Sequence, residues 1–151
     1  MSASIEKFVN AGWSVATRDD ADSPATLRFR RPVPSPNEVS DFSEVLRVLW
    51  IYADEGTGAL PSQDDIKRMT RFEDDLCDAL ELDRTAVLAA VLTMDGARQW
   101  LLYTVDVQMC GIRINQLPQE ETGYPLEIDT FSDPNWAYLR EDILGPIDNG
   151  T

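Results

Sequence analysis

The sequence predicts a mixed α+β domain built on one antiparallel sheet, and three observations carry that expectation. Glu44–Tyr52 and Thr85–Thr93 are short apolar runs, of the length and composition of strands buried on both faces. Between them Ile66, Met69, Phe72, Leu76, Ala79 and Leu80 recur every three or four residues, the spacing of an amphipathic helix. After the second run, Met94-Asp95-Gly96 carries the Asp-Gly signal of a tight turn, which folds the chain back into Arg98–Val105.

The elements follow in order. Residues 1–11 form a short segment with room for one helical turn. Trp13–Thr17 and Ala25–Arg30 alternate apolar and polar residues and flank the turn-forming run Asp19-Asp20-Ala21-Asp22-Ser23-Pro24. They predict a hairpin over 12–31, with Leu27 and Phe29 on one face and Arg28 and Arg30 on an outer face. Pro32, Pro34 and Pro36 then break regular structure. The loop from Asp54 to Pro61 follows the first apolar strand. Ser62 caps a helix from Gln63 to about Leu82, with Asp64 and Asp65 at the positive end of its dipole. Val107, Cys110, Ile114 and Leu117 predict a second helix over 106–117. Gly111 weakens that helix, and Gly111–Ile114 as a short strand is the open alternative. Tyr124–Thr130 alternates as a last strand, with Pro125 favouring an edge. Asp133-Pro134 supplies cap and first residue of a short helix over 133–144, ended by Gly145-Pro146. From Glu44 the order is β-α-β-β-α-β, the ferredoxin-like order, over residues 44–130. One sheet with two helices on one face is expected, extended or covered by the N-terminal hairpin, as a single domain over 1–151.

Composition bounds the chemistry. No run approaches the ~18 apolar residues of a membrane span, and the first residues lack the cationic start and apolar core of a secretory signal. Cys77 and Cys110 stand alone among apolar neighbours, which predicts buried free thiols and a cytoplasmic, reducing location. Histidine is absent. That removes Ser-His-Asp and Cys-His nucleophile systems, a histidine base and histidine metal ligands. Gly56-Thr57-Gly58 continues as Ala-Leu-Pro and is not a phosphate loop. No cofactor or metal is expected.

Charge is the strongest compositional signal. The chain carries 27 acids and 13 bases, a net of −14. The first 36 residues hold four of the acids and five of the bases, so the surplus lies in the body. Such a surface repels phosphate backbones and attracts a basic protein. The candidate partner-binding residues are Asp74, Asp75, Asp78 and Glu81 on the solvent side of the first long helix, Asp54 and Glu55 in the preceding loop, Trp136 near the C-terminal end, and Arg28 and Arg30 on the hairpin. Each group also has a plain structural reading: a solvated helix face, a packed tryptophan, arginines paired with the chain's own acids. Glu73, nearer the apolar stripe, needs a cationic partner such as Arg98 or Arg47 if buried.

Several signposts occur in series: Trp50-Ile51-Tyr52, Leu60-Pro61, Phe72-Glu73-Asp74, Leu92-Thr93 before Gly96-Ala97-Arg98, Leu102-Tyr103, Tyr124–Ile128, and Asp133-Pro134-Asn135-Trp136 with Tyr138. In this order, over roughly Trp13 to Tyr138, the chain resembles the bacterial domain-of-unknown-function family 695. The resemblance implies an α+β domain of the bacterial cytoplasm. It also implies kinship with proteins joined to a domain resembling regulator B of ribonuclease E, a small acidic ferredoxin-like inhibitor. It supplies no catalytic residues. The expectation is a non-enzymatic, acidic protein-binding domain: an immunity protein against a toxin or a nuclease regulator, binding neither nucleic acid nor membrane. A carboxylate- or metal-dependent hydrolase and a small-anion-binding module are the alternatives.

Overall fold

A computed structural model of the chain describes residues 3–18, 24–54, 60–118 and 123–148. The turn-forming run 19–23 and most of the loop before Leu60, with Glu55, lie outside the described residues. Helix α1 (Ala3–Asn10) leads into strands β1 (Trp13–Arg18) and β2 (Ala25–Arg30), and a 3-10 turn (Pro36–Glu38) precedes β3 (Glu44–Ile51). Helix α2 (Gln63–Leu80), strands β4 (Ala86–Met94) and β5 (Ala97–Thr104), helix α3 (Val107–Asn115) and strand β6 (Leu126–Ser132) follow. A π-helical turn (Tyr138–Ile143) and a short helix α4 (Gly145–Asp148) end the described chain. The six strands form one sheet in the order β1-β2-β4-β5-β3-β6, every neighbouring pair antiparallel. The N-terminal hairpin therefore extends the sheet.

Local signals placed the helices. Ser62 caps α2 by accepting from Asp65 N at 3.0 Å, and the Asp65 carboxylate returns the bond to Ser62 N at 3.2 Å. Residues 107–115 are helical and the short-strand alternative is set aside. Asp106 caps the helix by accepting from Met109 N at 3.0 Å, and Cys110 and Ile114 are buried one turn apart. The Asp95-Gly96 turn has both residues at positive φ, +55° and +83°, as a two-residue hairpin joining Met94 to Ala97 requires.

Strand alternation divides the core in two. On one face Leu46, Val48, Trp50, Leu88, Val91, Trp100 and Leu102 pack under Met69, Phe72, Leu76 and Leu80 of α2 and Cys110 and Ile114 of α3. On the other, Phe29, Val45, Val87, Leu101 and Tyr103 pack against Ile5 and Phe8 of α1, Val39, Phe42, Trp136, Leu139 and Leu144. Helical segments thus pack on both sides of the sheet, which accounts for the unbroken apolar runs.

The C-terminal segment corrects two expectations. Asp133-Pro134 does not begin a helix. The chain first turns through Trp136 at φ +57°, and the Asp133 carboxylate caps the later helical turn by accepting from Ala137 N at 3.0 Å and Tyr138 N at 2.9 Å. Trp136 is fully buried, not a surface residue. Its indole stacks on Tyr103 with centroids 4.1 Å apart, meets Phe8 edge-on and donates to Phe42 O at 2.8 Å. Proximity to the chain end did not expose it, because this segment covers the second face of the sheet.

Candidate functional site

Helix α2 and the arginine row of β2 were expected as separate surfaces, and the structure joins them. β2 presents Leu27 and Phe29 to the second face, so Arg28 and Arg30 point beneath α2 and not outward. Arg28 pairs with Glu73, which also accepts from Trp100 Nε1 at 2.8 Å. Arg30, 6% exposed, makes a two-point pair with Glu81 at 2.9 and 3.1 Å and donates to Leu88 O at 2.9 Å. Glu81 further accepts from Leu88 N at 2.8 Å. The Trp13 ring lies over both guanidinium groups, 5.4 Å from Arg28 and 4.5 Å from Arg30.

Three expectations are corrected here. Arg28 and Arg30 are not an outer basic patch, since α2 sits on them. Glu81 does not belong to the solvent face; the helix ends at Leu80, and Glu81 turns in from its C-cap. Glu73 takes Arg28, not Arg98 or Arg47. Arg98 Nε instead donates to Thr93 Oγ1 at 2.8 Å, and Arg47 grips Asp129 and reaches Tyr138 Oη at 3.3 Å.

What remains outward on α2 is Asp74 and Asp78, both exposed, with Asp75 half-buried beside them. Asp54 is exposed at the end of β3. Arg84 and Arg113, like Arg28, Arg30 and Arg47, are engaged inside the molecule. Arg84 forks onto Glu6 of α1 at 2.7 and 2.9 Å, and Arg113 of α3 holds Asp83 at 3.0 Å.

The titration pattern follows from these contacts. The Arg84 hydrogen bond holds Glu6 below the usual carboxylate range. Arg113 and the Thr85 hydroxyl do the same to Asp83. Depressed values in the folded state mean that these pairs stabilise fully above the unfolded carboxylate range, near 4, and lose that effect as pH falls through the depressed values. The gap in urea midpoint between the parent chain and Asp83→Asn should therefore be widest near neutrality and shrink steadily below about pH 4. A gap unchanged at low pH would refute the assignment.

Burial, with the Glu81 and Glu73 charges, pushes the Cys77 thiol up to about 12, and burial raises Cys110 as well. Neither is a thiolate at neutral pH, so neither is an activated nucleophile. Among the described residues no group of three or more Cys, Asp or Glu side chains is placed to hold a metal ion, and no helix is long and apolar enough to cross a membrane.

One further feature had no signal in the sequence. Among the described residues, the second face of the sheet is covered only in part. Beyond the C-terminal segment a groove of about 500 Å³ runs over Leu49, Ile51, Leu92, Met94, Ala97 and Gln99, with Asp95 and Glu127 at its margins. Period-two patterning marks these residues as one face of a sheet but cannot show where its cover stops.

The architecture defines a mixed α/β protein: a six-stranded, open, antiparallel sheet with helices on both faces. The model of a family of unknown function, DUF695, matches residues 11–142, and the chain belongs to that family. No curated protein and no solved structure matches it.

Proposed function

We propose that this chain is a non-catalytic binding domain for a basic protein and acts as its inhibitor in the bacterial cytoplasm, as an immunity protein or a nuclease regulator does. One observation carries the reading. Arg28, Arg30, Arg47, Arg84 and Arg113 are engaged in ion pairs within the chain, while Asp74 and Asp78 are exposed on α2 of a chain of net charge −14. Carboxylates so displayed speed encounter with a cationic surface and select against other partners. We also read β3-α2-β4-β5-α3-β6 as a ferredoxin-like module to which β1 and β2 were added. The order β4-β5-β3-β6, with α2 and α3 sharing one face, supports this.

The test is to search the neighbouring genes for one that encodes a basic protein, mix that protein with the chain and follow association by stopped flow at rising salt. The rate constant should fall by about tenfold or more between roughly 20 and 300 mM salt, as the screening length shrinks. Association indifferent to salt, or substrate turnover by the purified chain that one carboxylate substitution abolishes, would sink the proposal.

A further inference from the structure

We propose that the outer side of α3, with the end of α2 beside it, is the seat of the partner, and that the segment it takes is a basic amphipathic helix. This rests on the reading of the chain as a binder of basic protein, and it adds an apolar hold to the acidic face of α2.

Helix α3 is apolar on two sides. Cys110, Ile114 and Leu117 pack on the sheet. Met109 and Ile112, one turn apart on the outer side, are 36% and 53% exposed. Val105, just before the Asp106 cap, and Leu82, just after the C-cap of α2, are exposed as well. Hydrogen bonds tie these pieces together. Val105 N donates to Thr85 O at 3.2 Å, and the Arg113 guanidinium donates to Ala79 O at 2.9 Å and Thr85 Oγ1 at 3.0 Å. Of the eight large apolar side chains exposed among the described residues, these four gather where β4 begins and β5 ends. Single exposed apolar residues are ordinary, but a cluster of four marks a contact surface. The internal segments outside the described residues follow Arg18, Asp54 and Pro118. The strands they adjoin in sequence end or begin at the opposite end of the sheet: β1 at Arg18, β3 at Ile51 and β6 at Leu126. Helices α1 and α4, nearest the termini, pack on the second face.

The charge beside the cluster selects the occupant. From Glu73 to Asp83 the chain carries six acids and no base. Glu73, Glu81 and Asp83 are held by Arg28, Arg30 and Arg113. Among the described residues Asp74, Asp75 and Asp78 have no ion-pair partner, and Arg71, one turn earlier, offsets one charge of the three at most. An apolar cluster bordered by such acids fits a segment that is apolar on one side and cationic on the other. A second copy of this chain is disfavoured, because it would set the same carboxylates against each other and bring together two molecules of charge −14. A helix fits better than a strand. Added strands need an open sheet edge, and this surface is made of helices. Helix α2 ends and α3 begins at one end of the sheet, so the two run antiparallel, side by side. A third helix lies in the groove between two such neighbours. Its apolar residues would rest on Leu82, Met109 and Ile112, and its Lys or Arg side chains would reach Asp75 and Asp78.

The probe is a synthetic Leu/Lys peptide of about 18 residues with leucines at i, i+3, i+4 and i+7, compared with a scrambled peptide of equal composition. Backbone amide shifts of the isotope-labelled chain map the contact. Asp78, Leu82, Val105, Met109 and Ile112 should respond to the patterned peptide, which should bind about tenfold tighter than the scrambled one. Leu82→Gln with Ile112→Gln, both at exposed positions and checked for an unchanged unfolding midpoint, should erase that preference. Asp74→Asn with Asp78→Asn should weaken both peptides by about threefold or more and leave the preference between them intact. If both peptides bind equally and shift only α2, the apolar cluster is not the seat while the basic-partner reading survives. Shifts centred on Ile51 and Met94 would likewise move the seat to the sheet and overturn the proposal. If neither peptide binds, both readings fail. Concentration-dependent dimerisation of the parent chain, abolished by Leu82→Gln with Ile112→Gln, would make a second copy the occupant and overturn the proposal.

Discussion

Asp133→Ala is expected to lower the stability of this protein by about 3 kcal/mol. The carboxylate, 9% exposed, accepts three hydrogen bonds: from Tyr103 Oη at 2.7 Å, Ala137 N at 3.0 Å and Tyr138 N at 2.9 Å. Alanine takes all three acceptors away. The Tyr103 hydroxyl, on a ring with no exposed surface, is left as a buried donor, at a cost of about 1–3 kcal/mol. The two backbone N–H groups open the helical turn that covers the second sheet face, and losing such a cap costs about 1 kcal/mol. In a chain of this size the melting temperature should fall by roughly 6–12 °C. Tyr103→Phe removes the donor instead of the acceptor and should cost only about 1 kcal/mol. The double variant should be less destabilised than the two single losses combined, because one shared bond is counted in both. Full additivity would show that Asp133 acts on the helical turn alone.

Much of this architecture is legible in the sequence, and the places where it is not share one physical cause. Helix α2, the Asp95-Gly96 turn and the strand alternation are local, written in neighbouring residues such as Ser62 with Asp65. Which side of a strand faces the core is not local. Arg28 and Arg30 alternate with Leu27 and Phe29 just as residues of a half-wet strand would, yet both sides of β2 are covered. The charged side is satisfied by carboxylates 45 and 51 positions away and by the Leu88 carbonyl. Glu81 looks solvent-facing by helical projection, but that projection lapses where the helix ends at Leu80. Trp136 and the partly covered face depend on where the C-terminal segment lies, a tertiary fact that no periodicity encodes. Of the expected acidic surface, Glu81 turns inward, Asp54, Asp74 and Asp78 are exposed with Asp75 half-buried, and a groove beside Met94 lies apart from them.

Gly96→Ala should be at least as damaging, again costing about 3 kcal/mol or more, through two causes that a second variant separates. Gly96 sits at φ +83°, where an alanine is strained by roughly 1–2 kcal/mol. Its Cβ would also stand 2.4 Å from Ala53 O and 3.0 Å from Asp54 O. Those are backbone atoms and cannot swing aside as a side chain would. They are held close because Gly96 O accepts from Tyr52 N at 2.9 Å and Ala53 N at 3.1 Å, which fastens the exit of β3 to the β4–β5 turn. Relieving the clash means breaking that fastening. Asparagine tolerates positive φ far better than alanine but brings the same Cβ. If dihedral strain dominates, Gly96→Asn will be mild; if the backbone contact dominates, it will be nearly as harmful as Gly96→Ala. The 2.4 Å approach makes the second outcome the expected one in chemical denaturation. Asp95→Gly, at the neighbouring position of positive φ, should change stability by less than about 1 kcal/mol.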